Sequence, residues 1–409
     1  MITPLQLRPP AEEEWPEFCA VISTAFLDKM NPADMAAFRA GVDLERALVG
    51  LDSDGRVKST GVTYAMPMRV PGGQIPSAGV SAIGVGTAHR RKGVLTSMMR
   101  RLFETATAAG DIAATLFASE GPIYGRYGYG MATQMCNLRV EPRALAALPP
   151  VAGTVEEVDR DAALHRFPAI YAAAYLDRPG ASDRSPRWWA STLHPWEDTE
   201  KDWDARRHLV YVDAQGRDRG CATVRLKGAW DEGRPAGRCQ LSELHAVDAE
   251  ATAGLWRYAG GIDLVTSVEA PHRPLDDPLA LMLDDPRAVR VRPSHEFWLR
   301  LLDPAAALSA RAYRCPGKLT VEVEDAFWPS AAATYTLEAA ESGAGACEVT
   351  HREADVSLGA AELGAVYLGT VTFAQLAAAG RVREVKPGSL ARADAIFNWS
   401  PAAFCPEVF

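Results

Sequence analysis

The sequence predicts an α/β (α+β) chain of three regions: two of one mixed-sheet design in tandem, then a smaller α+β domain. Three observations carry this. An apolar alternating strand, Val80–Gly86, runs into Arg90-Arg91-Lys92-Gly93, and an amphipathic helix follows. A similar alternation returns at Leu241–Val247, again before a helix-like stretch, Glu250–Ala259. And 409 residues with 48% hydrophobic content exceed one ordinary core.

The first region, residues 1–142, reads as follows. Helices are expected over Trp15–Leu27 and Pro32–Ala40, the second with Asn31 as cap, Pro32 at its first position and Gly41 past its end. Strands follow at Arg46–Leu51 and Arg56–Val70, joined by an Asp-Ser-Asp-Gly turn. Pro71-Gly72-Gly73 leads to the strand Ala78–Gly86. The basic helix is expected over Arg90–Ala109, with Val94, Leu95, Met98, Met99, Leu102 and Phe103 at helical spacing. A strand over Ile112–Ser119, a Gly- and Tyr-rich turn and a strand near Thr133–Val140 complete a β-β-β-α-β-α-β succession.

The second region, 143–303, repeats part of this pattern without its cations: Asp248-Ala249-Glu250 stands where the basic string would be. The third, 304–409, alternates strands (Lys318–Glu324, Thr334–Glu338, Cys347–His351) with helices (Ala360–Tyr367, Phe373–Ala379). It carries no recognisable catalytic motif of its own.

The basic string is a candidate anion site. A helix N-terminus offers free N–H groups and the positive end of its dipole. Three cations there oppose the dipole by about 0.3–1 kcal/mol each, a cost that a bound polyphosphate offsets. Gly84-Val85-Gly86-Thr87-Ala88-His89 lacks the third glycine of a dinucleotide fingerprint, and no Gly-x-x-x-x-Gly-Lys-Ser/Thr string exists.

Composition excludes other classes. A net charge of −9 disfavours nucleic acid as partner and mildly favours cationic small molecules. Seven scattered cysteines, with no C-x-x-C pair and no Cys/His cluster at zinc spacing, imply reduced thiols and no metal site. The first fifteen residues lack the apolar run of a signal peptide. The most membrane-like stretch, Leu358–Gly380, is interrupted by Glu362 and Gln375. A cytoplasmic protein that does not insert in membranes is expected.

Arg90-Arg91-Lys92-Gly93-Val94 resembles the pyrophosphate loop of the Gcn5-related N-acetyltransferases (GNAT). More distinctive is Ala118-Ser119-Glu120-Gly121-Pro122-Ile123-Tyr124-Gly125-Arg126-Tyr127-Gly128-Tyr129-Gly130. It resembles the corresponding segment of the Eis (enhanced intracellular survival) family, which acetylates aminoglycosides at several amines. Val80-Ser81, Ser242-Glu243-Leu244, Tyr367-Leu368-Gly369 and the last phenylalanine agree with that family. The resemblance spans essentially the whole length. It implies tandem GNAT-like domains, the second degenerate, a C-terminal sterol-carrier-protein-like domain and a homo-hexamer.

The resemblance also assigns roles. Tyr124 is the general acid: a phenol near pKa 10 can protonate a departing thiolate of comparable pKa. The α-carboxylate of Phe409 is the general base. Ile83, Gly84, Val85, Arg90, Arg91, Lys92, Gly93, Leu95, Ser119 and Glu120 hold acetyl-CoA, with a bulge in the strand freeing backbone N–H groups. Phe26, Asp28, Phe38, Arg39, Ala82 and Glu243 form the pocket for a polycationic amine. Phe38 and Ala82 replace larger aromatics of the family, and Val408 stands where it often has an acid. Two alternatives remain: an N-acetyltransferase for protein lysines or polyamines, and, ranked last, a lipid or sterol carrier.

Overall fold

Short-range chemistry frames the basic loop. Helix α1 (Trp15–Phe26) ends where Leu27 turns left-handed, φ 58°. Helix α2 (Pro32–Gly41) starts at Asn31, whose side chain accepts the Asp34 N–H at 2.8 Å. The structure, a computed structural model, describes residues 5–196, 203–294 and 297–409. It divides into two compact units, one of Met1–Gln134, Asp177–Asp183 and His295–Phe409, the other of Met135–Leu176 and Arg184–Ser294.

In the first unit, strands β1 (Gln6–Arg8), β2 (Ala47–Leu51) and β3 (Val57–Ala65) form an antiparallel series. A small hairpin, β4 (Met68–Val70) and β5 (Gly73–Ile75), takes the end of the long strand expected over Arg56–Val70. Strand β6 (Ser77–Val85) pairs with β3, and helix α3 (Val94–Ala108) crosses to β7 (Ala113–Phe117), which runs parallel to β6. Met98, Met99, Leu102 and Phe103 of α3 are buried on the sheet, worth roughly 1.5–3 kcal/mol each. A single turn, α4 (Gly121–Tyr124), leads to the short β8 (Gly130–Met131). The sheet order is β1-β2-β3-β6-β7, then Phe297–Leu301, then β8.

The sixth strand therefore comes from far along the chain. The strand expected near Thr133–Val140 does not close this sheet. Met135–Val140 lies instead in the sheet of the second unit, between Val265–Pro274 and Val289–Ser294. A cut at residue 142 thus severs a strand from its own sheet.

The second unit repeats the design. Its order is Thr154–Val158, Arg207–Val212, Asp218–Lys227, Gly237–Ala246, Val265–Pro274, Met135–Val140, Val289–Ser294. Gly237–Ala246 and Val265–Pro274 are its parallel pair, and the helix Ala249–Gly260 connects them.

Within the first unit, the third region builds a five-stranded sheet around Gly317–Glu324 with four helices. Its Leu319, Val321 and Leu337 share one core with Met68, Val70, Ile75 and Phe297. No helix among the described residues is long and apolar enough to cross a membrane.

Candidate active site

The site begins with a parting of strands. The parallel ladder of β6 and β7 stops at Gly79↔Thr115, although β6 continues to Val85 and β7 to Phe117. A break in the β3–β6 register lies where Thr60 faces Gly84 and Val62 faces Ser81. Ala82 and Ile83 stand outside the ladder as a bulge, with Ala82 at φ 52°. The Thr60 hydroxyl donates to the Ala82 carbonyl at 3.0 Å and pins the distortion.

Two cavities open in the gap. The first, about 680 Å³, is walled by Ile83, Val85, Arg90, Arg91, Gly93 and Leu95, and on its far side by Ser119, Glu120, Tyr124 and Tyr127. The second, about 360 Å³, is walled by Val80, Ser81, Ala82, Phe117, Ala118, Val408 and Phe409. Phe26, Ile83, Ser119 and Tyr124 belong to both. Tyr124 is thus a wall held in common by the two chambers.

The basic loop differs from expectation. The helix starts at Val94, so Arg90, Arg91 and Lys92 precede it and do not form its first turn. Gly93 is the cap, at φ 80°, and Arg91 is also left-handed at φ 60°. No side chain caps the helix, and among the described residues the N–H groups of Val94, Leu95 and Thr96 meet no acceptor. A Cβ on Gly93 would touch nothing within 4 Å. Uncapped donors, two cationic side chains and an open glycine suit a diphosphate.

Other expected residues divide. Gly84 faces α1, where a Cβ would sit 2.8 Å from Thr60 Oγ1, so it does not line the first cavity. Lys92 turns its ammonium back to the Ala88 carbonyl. Phe38 packs on Trp15, with ring centroids 5.1 Å apart, and Arg39 pairs with Glu12 at 2.7 Å. Phe38 serves the α1–α2 contact, Arg39 ties α2 to the turn before α1, and neither lines a cavity. Asp28 is exposed and accepts the Lys29 N–H. Glu243 belongs to the second unit, where Arg184 holds its carboxylate and His245 Nε2 lies 3.0 Å away.

Sequence reasoning did not single out Val80, Ser81, Phe117, His89 or Thr96 as wall residues. The strand alternation already placed Val80 and Phe117 on a sheet face. Tyr127 is buried and also lines the first cavity, its hydroxyl 3.3 Å from that of Thr96.

Electrostatics favour a protonated phenol. Burial pushes the Tyr124 hydroxyl up from its ordinary value, the Ser119 side chain opposes this, and Tyr127 and Glu120 add to it. The phenol therefore keeps its proton at neutral pH. The Phe409 ring sits edge-on to Phe117, with centroids 5.3 Å apart, and edge-on to Tyr64 at 6.5 Å. These contacts hold the last residue in the second cavity.

The second unit keeps the bulge but closes the anion site. Its register breaks between Cys221 and Thr223, and Glu243 takes φ 48°. Its helix Ala249–Gly260 is capped by Asp248, which accepts the Ala251 N–H at 2.8 Å and pairs with Arg219. Own carboxylates stand where an external anion would bind.

A splayed parallel pair, a bulge and an uncapped helix start define the first unit as a GNAT acyltransferase fold, which uses an acyl-CoA co-substrate. Comparison with known proteins agrees. Acetyltransferase (GNAT) domain models match residues 6–132 and 180–301, and a sterol carrier protein domain model matches 304–406. The chain is 31% identical to the N-acetyltransferase Eis of Mycobacterium tuberculosis over 95% of each chain. It is 36% identical to an uncharacterized N-acetyltransferase of Streptomyces coelicolor, over 97% of this chain and 98% of that one. The crystal structure of Eis1 from Mycobacterium abscessus superposes with a TM-score of 0.83 at 30% identity, covering 99% of this chain and all of that one. The protein belongs to the Eis family of GNAT N-acetyltransferases.

Proposed function

We propose that the protein acetylates amines of aminoglycoside-like, polycationic small molecules, by direct attack of the amine on the acetyl thioester. The observation that carries this reading is Tyr124 in the wall shared by a larger chamber lined by Arg90 and Arg91 and a second, smaller one. Acetyl-CoA supplies the activated acyl group when bound. Arg90, Arg91 and the first N–H groups of α3 would hold its diphosphate, and the Ala82–Ile83 bulge would offer backbone donors.

The amine enters from the second chamber as an ammonium ion. The Phe409 α-carboxylate, on the last residue of this sequence, accepts its proton, directly or through water. A C–N bond forms as the C–S bond breaks, and the Tyr124 phenol gives its proton to the departing sulfur. The amide nitrogen releases its second proton to solvent, and the phenolate is reprotonated from there. Holding both reactants on either side of one residue supplies the proximity the reaction needs.

The apolar side chains of Val80, Ala82, Ile83 and Phe117 favour one second reading. An amine on an alkyl arm, such as a protein lysine or a linear polyamine, also suits such a wall. Thiol release from acetyl-CoA with kanamycin, spermidine and a lysine peptide separates the readings. Kanamycin is expected to turn over fastest, and silence with every amine overturns both. Appending one glycine after Phe409 is expected to lower kcat, and an unchanged kcat removes the carboxylate from the reaction.

A further inference from the structure

We propose that Arg300 and Asp325 are positioning residues that clamp the turn carrying Tyr124, and that the third region acts on the chemistry through them. This rests on the reading of Tyr124 as proton donor.

Arg300 lies on the strand Phe297–Leu301 and is wholly buried. Its guanidinium donates to the Tyr127 carbonyl with one arm and to the Asp325 carboxylate with another. It also rests 5.0 Å from the centre of the Phe103 ring. Tyr127 closes the turn that follows α4, and this turn is tied to Tyr124 itself: the Tyr129 N–H donates to the Tyr124 carbonyl at 3.4 Å. Gly128 makes the approach possible. At φ 79° it has no Cβ, and one built there would lie 1.9 Å from an Arg300 nitrogen.

Asp325 is held in turn by its own loop. Its other oxygen accepts the N–H groups of Phe327 at 3.0 Å and Trp328 at 2.8 Å. The rings of both stand edge-on to Phe103, each 5.7 Å away, and Phe327 also meets Tyr127 at 4.9 Å. The acid's turn is thus held both by a loop of the third region, through Phe327 against Tyr127, and by the Arg300 guanidinium.

The grip is not arranged for stability. Arg300 Nε is buried without a partner, and so is the Tyr129 hydroxyl. A buried ion pair with an unsatisfied donor is a poor stabiliser beside apolar packing. What the fork does provide is direction, because a planar guanidinium fixes two acceptors at once.

The test is a double-mutant cycle on kcat. Asp325→Asn keeps the shape of the carboxylate and removes its charge; Arg300→Lys keeps the charge and removes the fork. Each is expected to lower kcat on the order of tenfold to a hundredfold, as a misplaced reacting group does, with the KM for acetyl-CoA within about twofold of the parent. In a Tyr124→Phe background the same changes are expected to cost less than about twofold, since the group they position is gone. If Arg300→Lys fails to fold, Asp325→Asn, which leaves the bond to Tyr127 possible, decides alone. An equal loss in both backgrounds, or none in either, overturns the clamp while leaving the acid role standing. A Tyr124→Phe enzyme with full kcat overturns both.

Discussion

Tyr124 works from a buried position, and burial decides how. It raises the phenol's pKa and keeps the proton in place at neutral pH. The same desolvation makes a departing thiolate more basic, so the proton still moves toward sulfur. Tyr124→Phe is therefore expected to lower kcat by about 10²–10⁴-fold while the KM for acetyl-CoA stays put. The sign of the pH dependence follows: only the protonated phenol donates, so the parent loses activity as pH climbs through the raised pKa. That alkaline limb is expected to vanish in Tyr124→Phe, which steady-state rates across pH will show. An alkaline limb unchanged in the variant assigns it to another group. The residue was legible because it sits in a long, distinctive segment. Phe117 and Ser81 were not, because a wall residue carries no motif and is defined only where β6 and β7 part.

At the scale of elements, the loop before α3 matters more than the charge on it. The cation string was readable, but its place was not, since the reading put the cations inside the helix. Gly93 and Arg91 are left-handed, and composition does not encode where a helix yields to such a loop. Gly93 is the position to probe. A Cβ there meets no neighbour, so Gly93→Ala costs only the backbone strain of a left-handed alanine, about 1–2 kcal/mol. Relief of that strain moves the loop and misaims the first N–H groups of α3. The KM for acetyl-CoA is expected to rise about tenfold, the equivalent of 1.4 kcal/mol in binding. The protein should remain folded, with kcat at saturation near that of the parent. A fall in kcat at unchanged KM would place this loop in the chemistry and remove it from diphosphate binding.

At the scale of the whole molecule, the tandem design was legible because both copies keep the alternating strand and following helix. The exchange of strands was not. Met135–Val140 reads as a strand wherever it pairs, and only long-range pairing assigns it to the second sheet. The shared core of the first and third regions was hidden for the same reason: Leu319 and Met68 are apolar in any arrangement, and only the fold brings them together. Glu243 occupies the bulge of the second copy as Ala82 occupies the bulge of the first. Its carboxylate is held by Arg184. This doubling leads to a count of sites. The helix of the second copy is capped by Asp248, and Glu250 in its first turn accepts from the Tyr211 hydroxyl and the Ala152 N–H. A diphosphate there would meet two carboxylates and find the Ala251 N–H already taken by the cap, whereas at α3 it meets Arg90, Arg91 and a helix start that no side chain caps. Calorimetric titration with CoA is therefore expected to give one site per chain, weakened by Gly93→Ala and insensitive to Asp248→Asn. Two sites of comparable affinity per chain would show that the second copy has kept its anion pocket despite the cap.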